Sequence, residues 1–402
     1  MEEIADFGAV VLVVAVGVAL AVYAFKLTER ISVPAPALFL VLAAIVSDLF
    51  PSLEDRDHIE TVERIGVVAL VIILFDGGMH IGWRRFRESA VPIAVLGVLG
   101  TFATAAIVAL FAHYVLGFSW ITSWLLGAAV APTDPAVMFS VLGNREVGGR
   151  TGTILEGESG ANDPVGIALM IGLLEFATAD DGSVWEVARV FALQMAVGLL
   201  VGVVGAQVLA RLMHGLSLPR SGLYAIGVLA CGFAIYGIAA VLGGSGFLAV
   251  FVAGVLVGDA DAPEQRAIEG FHTSLASLAE IAVFVALGLT IDLDDLADAR
   301  LWLEGLALAL VVGFLARPLT VGVMLLPARL RVGERLFVVW GGLKGAVPIL
   351  LAAFALSAGV DDGERIYDLV FIVVAFSVIV QGSAVPYVAR RLNVPMTLAE
   401  RT

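Results

Sequence analysis

A chain of 402 residues that is 60% hydrophobic and only 15% charged, with mean hydropathy +1.00, is not built as a soluble globular domain; it has the composition of a polytopic membrane protein. The net charge of −14 argues against nucleic acid as a partner. A single cysteine, Cys231, excludes an intrachain disulfide and a cysteine-rich metal cluster.

About thirteen apolar stretches of membrane-crossing length follow one another, allowing for polar interruptions. They run approximately over 8–26, 33–50, 63–82, 91–117, 119–142, 151–177, 185–212, 222–242, 244–258, 274–291, 301–326, 336–359 and 367–389. The first is too long, and too weakly flanked by positive charge, for a cleaved signal peptide. Alternate loops divide Lys and Arg unequally. One set holds 16, from Lys26 and Arg30 to Arg391 and Arg401, and the other holds Arg56, Arg64, Arg189, Arg300 and Arg365. Arg317 and Lys344 lie within spans. The bias places the N-terminus outside and the C-terminus in the cytoplasm. The outer loops are acidic, as at residues 54–57 and 292–295, which solvation of an outer surface explains more simply than cation attraction.

The sixth span contains Glu158-Ser159-Gly160-Ala161-Asn162-Asp163-Pro164. A charge at mid-bilayer costs ~2.5–3.5 kcal/mol on insertion scales, so such residues face a bundle interior or a water-filled path. Glu158 and Asn162 are helical i,i+4 neighbours, as are Ser159 and Asp163, giving two adjacent polar ridges. Carboxylate, amide and hydroxyl oxygens at one depth suit a proton or a hard alkali cation. Asp163 lies 13 residues beyond Arg150, Asp134 11 before Arg145, Arg317 12 before Arg329, Lys344 9 beyond Arg335 and Asp76 8 before Arg84. At ~1.5 Å per residue, all five fall roughly 12–20 Å from the cytoplasmic boundary, though they come from five different spans. Two spans are broken by composition: the fifth at Ala131-Pro132-Thr133-Asp134-Pro135, the twelfth at Gly341-Gly342-Leu343-Lys344-Gly345-Ala346-Val347-Pro348. Free backbone groups in lipid are tolerated only in buried or cavity-lining positions. Interruptions at corresponding places in two halves predict an inverted-repeat transporter, with repeats at about 8–177 and 222–389 and a linker helix at about 185–212. Lys344 is expected to offset the negative half-helix ends where the breaks cross.

These residues resemble the Asn-Asp signature of NhaP/NHE-type monovalent cation–proton antiporters, closest to the bacterial potassium/proton-type NhaP branch. Phe75-Asp76-Gly77-Gly78, Thr133-Asp134-Pro135, Gly246-Phe247-Leu248-Ala249-Val250, Arg317-Pro318 and Gly342–Pro348 resemble the same family in the same order. The resemblance implies an all-α, NhaA-like antiporter fold with crossed, broken helices 5 and 12, and a homodimer in the cell membrane. It implies no cofactor beyond the transported ions. Asp163 matches the carboxylate that binds cation or proton, while Asp134, Ser159 and the Thr133 carbonyl match the other cation ligands. Glu158 matches the acid paired with Arg317, Asn162 the amide orienting that network, and Asp76 its acidic partner. Two residues depart from the pattern. Lys344 stands where the family has arginine, and Asp76 where glutamate is commoner. Relatives in that branch often carry a long cytoplasmic regulatory region. The chain ends about a dozen residues after its last predicted span, so a single transmembrane domain is expected.

The mechanism expected is competition for one carboxylate: burial favours protonated Asp163, a bound cation favours the ionised form, and the empty charged site crosses poorly. Asn162 cannot titrate, so exchange should be electroneutral. Oxygen ligands serve Na⁺, K⁺ and Li⁺ alike. A gated cation channel on a similar scaffold is the alternative. An intramembrane enzyme is not expected, since His-Glu-x-x-His and Gly-x-Ser-x-Gly are missing. Glu156 reads as lining an entrance, while Glu280 and His80 read as groups near the cytoplasmic ends of their spans.

Overall fold

The computed structural model describes residues 33–49, 59–142, 145–179, 183–215, 217–260, 262–291 and 298–398, with Leu12, 15–19 and 21–23. Much of the predicted first span lies outside the described residues, as do Lys26, Arg30, Arg56, Arg401 and the acidic runs 54–57 and 292–295.

Nearly everything else is helix, the form in which a chain in lipid can satisfy its own backbone hydrogen bonds. In order, the helices are α1 (Ala35–Leu49), α2 (Ile59–Ala94), α3 (Thr101–Phe111), α4 (Trp120–Val130), α5 (Pro135–Leu142), α6 (Gly149–Thr178), α7 (Val184–Gly215) and α8 (Ser221–Val241). There follow α9 (Gly246–Gly258), α10 (Gln265–Leu289), α11 (Ala299–Leu310), α12 (Val332–Trp340), α13 (Ala346–Ser357), α14 (Gly363–Phe376) and α15 (Ser383–Arg391). Wide π turns carry α2 into α3 and α14 into α15, and extend α11 to Gly322.

Seven helical runs among the described residues are long and apolar enough to cross a membrane: Ile59–Leu116, Trp120–Leu142, Val184–Gly215, Ser221–Val241, Gln265–Leu289, Ala299–Gly322 and Gly363–Arg391. The helices α1, α9 and α13 are apolar but shorter. At 30 residues α6 is long enough, yet its acids and amide dilute its hydropathy. The run Ile59–Leu116 covers two predicted spans, which meet at a kink. Gly82 has φ 64° and ψ 158°, a conformation open to glycine, and Asp259 accepts the Arg84 N–H at 2.6 Å just beyond it.

Burial separates the helices. Most of α6, α13 and α14 is buried, whereas α7 and α8 expose Leu199, Leu200, Val204, Ile226 and Ile238, an apolar flank suited to lipid. Small residues let α2 and α9 touch backbone to backbone; a Cβ on Gly78 would stand 2.6 Å from the Phe251 carbonyl. Two three-residue strands, β1 (Arg145–Val147) and β2 (Met396–Leu398), pair antiparallel, with Glu146 opposite Thr397. They are the only strands among the described residues of a mostly helical chain, and they tie the segment after α15 to the link between α5 and α6.

Candidate functional site

The two broken segments bond to each other. After α4 ends at Val130, Pro132 and Pro135 withhold the donors that would continue it. The chain resumes as a helix at Pro135, where a missing N–H costs nothing, and Asp134 caps that helix by accepting the Ala136 N–H at 2.8 Å. The glycine-rich run 341–345 separates α12 from α13 in the same way. A backbone bond joins the breaks, Asp134 N–H to Leu343 carbonyl at 2.8 Å. Gly345 leaves room where the two breaks meet, since a Cβ there would enter the Asp134 carboxylate.

Two buried cations cap the two half-helices that end there. Lys344, 1% exposed, donates from Nζ to the carbonyls of Ala131 (3.0 Å) and Pro132 (2.9 Å) at the end of α4. Arg317 donates to the carbonyls of Val338 (2.9 Å) and Val339 (3.5 Å) at the end of α12. Each positive charge thus meets the negative end of a helix whose last carbonyls have no helical donor. Arg317 also forms a two-pronged ion pair with Glu158, with both side chains 3% exposed.

On α6, Ser159 donates to the Thr133 carbonyl at 2.6 Å. Asn162 grips the same residue at both ends, donating to Thr133 Oγ1 at 2.8 Å and accepting the Thr133 N–H at 3.3 Å. The signature helix is thereby stitched to the break between α4 and α5. Pro164 has no N–H to offer the Gly160 carbonyl one turn back, so that oxygen lacks its helical donor. Asp163 is 5% exposed, and its Oδ1 has no protein hydrogen-bond partner among the described residues. An ionised carboxylate left in this way carries a desolvation cost that a proton or a cation would relieve.

A cavity of ≈ 460 Å³ leads to this carboxylate. Asp163, Asp134 and Ser159 line its inner part, and Arg85, Arg145 and Glu146 its outer, exposed end. Thr133, Asn162, Glu158, Arg317 and Lys344 stand behind the lining and hold it in place. Asp76 lines the cavity too, but not as the predicted partner of Asn162. Its carboxylate lies 3.4 Å from Thr273 Oγ1 and 3.4 Å from His80 Nδ1, directed toward α10, while the Asn162 amide is engaged with Thr133.

Glu280 also differs from its expected place. The polar opening of α10, Gln265 to Thr273, hides the true start of the helix from a hydropathy reading. Glu280 therefore sits about four turns into α10 rather than near its end, on the cavity wall. Glu156 and His80 line the same cavity.

A family-wide profile of the transmembrane sodium/hydrogen exchanger matches residues 7–391. The K(+)/H(+) antiporter NhaP of Alkalimonas amylolytica is 36% identical over 392 residues, covering 96% of this chain and 67% of the relative. The K(+)/H(+) antiporter NhaP2 of Shewanella sp. (strain ANA-3) is 34% identical over 381 residues, covering 94% of this chain and 66% of the relative. The Na(+)/H(+) antiporter ApNhaP of Aphanothece halophytica is 26% identical over 353 residues, covering 84% and 66%. The chain thus spans about two thirds of the length of these relatives. The solved structure of the sodium proton antiporter MjNhaP1 from Methanocaldococcus jannaschii superposes with TM-score 0.81 at 24% identity, covering 95% of this chain and all of that one, and shows the same fold. Matched along nearly its whole length by the profile and at 36% identity by a NhaP relative, the chain belongs to the sodium/hydrogen exchanger family of membrane cation/proton antiporters.

Proposed function

We propose that this chain exchanges a monovalent cation, Na⁺ or K⁺, for H⁺ across the cell membrane by alternating access, with the two ions competing for Asp163. The observation that carries the reading is the Asp163 carboxylate in the inner lining of a cavity that it shares with Asp134, its Oδ1 without a protein hydrogen-bond partner among the described residues. Asp134, Ser159 and the Thr133 carbonyl are the other cation ligands. Glu158, Asn162, Arg317 and Lys344 fix their geometry, and Asp76 belongs to the cavity wall. Lys344 reaches two carbonyls with one ammonium, so it does the capping work expected of the family's arginine without a planar fork.

The loaded site is neutral, or nearly so, and crosses; the bare carboxylate does not, and this couples the two fluxes. The architecture proposed has thirteen crossings, N-terminus outside and C-terminus in the cytoplasm, with inverted repeats on either side of α7 and two copies forming a homodimer. The end of the cavity carrying Arg85 and Arg145 then faces the cytoplasm.

Because Asn162 cannot titrate, one proton is exchanged for one cation and no net charge moves. Proteoliposomes containing a pH dye, challenged in turn with Na⁺, K⁺ and Li⁺, should alkalinise or acidify according to the cation gradient. The reversal point should depend only on the cation and proton ratios. An imposed potential would do ~2.3 kcal/mol of work per charge per 100 mV on an electrogenic cycle. A reversal point that moves with voltage would assign a second exchanging group. Passive conductance without a proton gradient would instead favour a channel.

A further inference from the structure

The cavity has two walls of different kinds. One, from α5, α6 and α13, carries Asp134, Ser159, Asp163 and Leu350. The other is built from α2 and α10, which pack against each other. On α10 the lining residues Thr273, Ser277, Glu280 and Phe284 recur at steps of three or four, one face of the helix. Glu280 is the acid on that face. Its Oε1 is fully buried and has no protein hydrogen-bond partner among the described residues. A carboxylate so placed is costly, whereas a carboxylic acid, neutral and able to donate, is at home there.

The charged and titratable groups along this cavity are Asp76 and His80 on α2, Arg85 further along it, Asp134 at the start of α5, Arg145 and Glu146 on β1, and Glu156 and Asp163 on α6. The basic ones, His80, Arg85 and Arg145, belong to the outer half together with Glu146 and Glu156. Deeper in are Asp134, Asp163 and Glu280, with no basic side chain among the lining residues beside them. The ammonium of Lys344 is engaged with the α4 carbonyls instead.

We propose that Glu280 is a proton-relay carboxyl: it takes a proton from the polar mouth of the cavity and passes it to Asp163, and in the reverse half-cycle it accepts the proton that Asp163 releases to an incoming cation. The inference rests on Asp163 being the exchanging carboxylate. Each relay step breaks one O–H bond at the donor oxygen and forms one at the acceptor. Glu280 returns to its starting state each cycle, so the one-for-one stoichiometry is unchanged. As a relay it need not touch the cation.

The test is exchange in proteoliposomes by wild type, Glu280→Gln and Glu280→Asp across a pH series, with cation KM and maximal rate measured separately. A positioned acid–base group contributes typically about 10²–10⁴-fold, and with water offering a bypass the loss in Glu280→Gln should be about tenfold in maximal rate. Cation KM and the voltage-independent reversal point should stay as in wild type. Glu280→Asp should recover most of the rate with a displaced pH profile, and it carries the test alone if Glu280→Gln does not fold. A wild-type rate and pH profile in both variants would overturn the relay while leaving the Asp163 exchange intact. A raised cation KM at unchanged maximal rate would also overturn it, making Glu280 a cation ligand. If wild type itself exchanges nothing, the Asp163 reading fails first.

Discussion

Asp163→Asn should reduce cation-driven pH change to that of protein-free liposomes while the protein remains folded. Asn has nearly the shape of Asp, and Asp163 Oδ1 makes no protein hydrogen bond among the described residues that the change would break. The amide cannot carry a proton at any working pH and presents a cation with a dipole instead of a charge. Exchange is thereby lost from both sides of the competition at once. Thermal unfolding of the detergent-solubilised variant should match wild type or lie above it, since a desolvated carboxylate has been removed. Substantial exchange by well-folded Asp163→Asn would mean that another carboxyl, Asp134 first, is the exchanging group.

The second large effect is on stability. Arg317→Met should destabilise the protein by about 3–5 kcal/mol, the usual cost of stranding one member of a buried ion pair. Glu158 would be left ionised at 2% exposure, and the Val338 carbonyl at the end of α12 would lose its donor. Adding Glu158→Gln removes the stranded charge and should recover part of the loss. It should not recover all of it, because the α12 carbonyls stay uncapped. Melting temperatures of wild type, the two single variants and the double variant give the cycle. If Arg317→Met melts like wild type, the pair contributes nothing to stability.

The parts of the site legible in sequence are those that break a rule of the bilayer. Glu158, Asn162 and Asp163 have no reason to sit in an apolar segment unless they line something or hold what lines it, and Pro132, Pro135 and Gly341–Gly345 have no reason to interrupt helices unless the freed backbone is used. The structure uses it: the Ala131 and Pro132 carbonyls receive Lys344, and the Asp134 N–H meets Leu343. What sequence hides is lateral. Depth along a helix follows from counting residues, but nothing in Phe75-Asp76-Gly77-Gly78 says that Asp76 turns toward Thr273 rather than toward Asn162. The depth of Glu280 is hidden because α10 opens on polar residues, so the apolar stretch begins well after the helix does. The Gly82 kink is hidden as well, because a glycine between two apolar runs reads as an ordinary boundary.

The central claim, that cation and proton compete for one carboxylate, is tested most directly by cation binding to the purified protein as a function of pH. Calorimetric titration with Na⁺ and with K⁺ should give, for the ion that is transported, an apparent Kd that rises about tenfold for each unit of acidification once Asp163 is mainly protonated, the signature of one proton displaced per cation bound. Repeating the titration in buffers of different ionisation enthalpy should report one proton released, and Asp163→Asn should show no heat. An apparent Kd independent of pH throughout the range in which transport changes with pH, or binding retained in Asp163→Asn, would contradict the account.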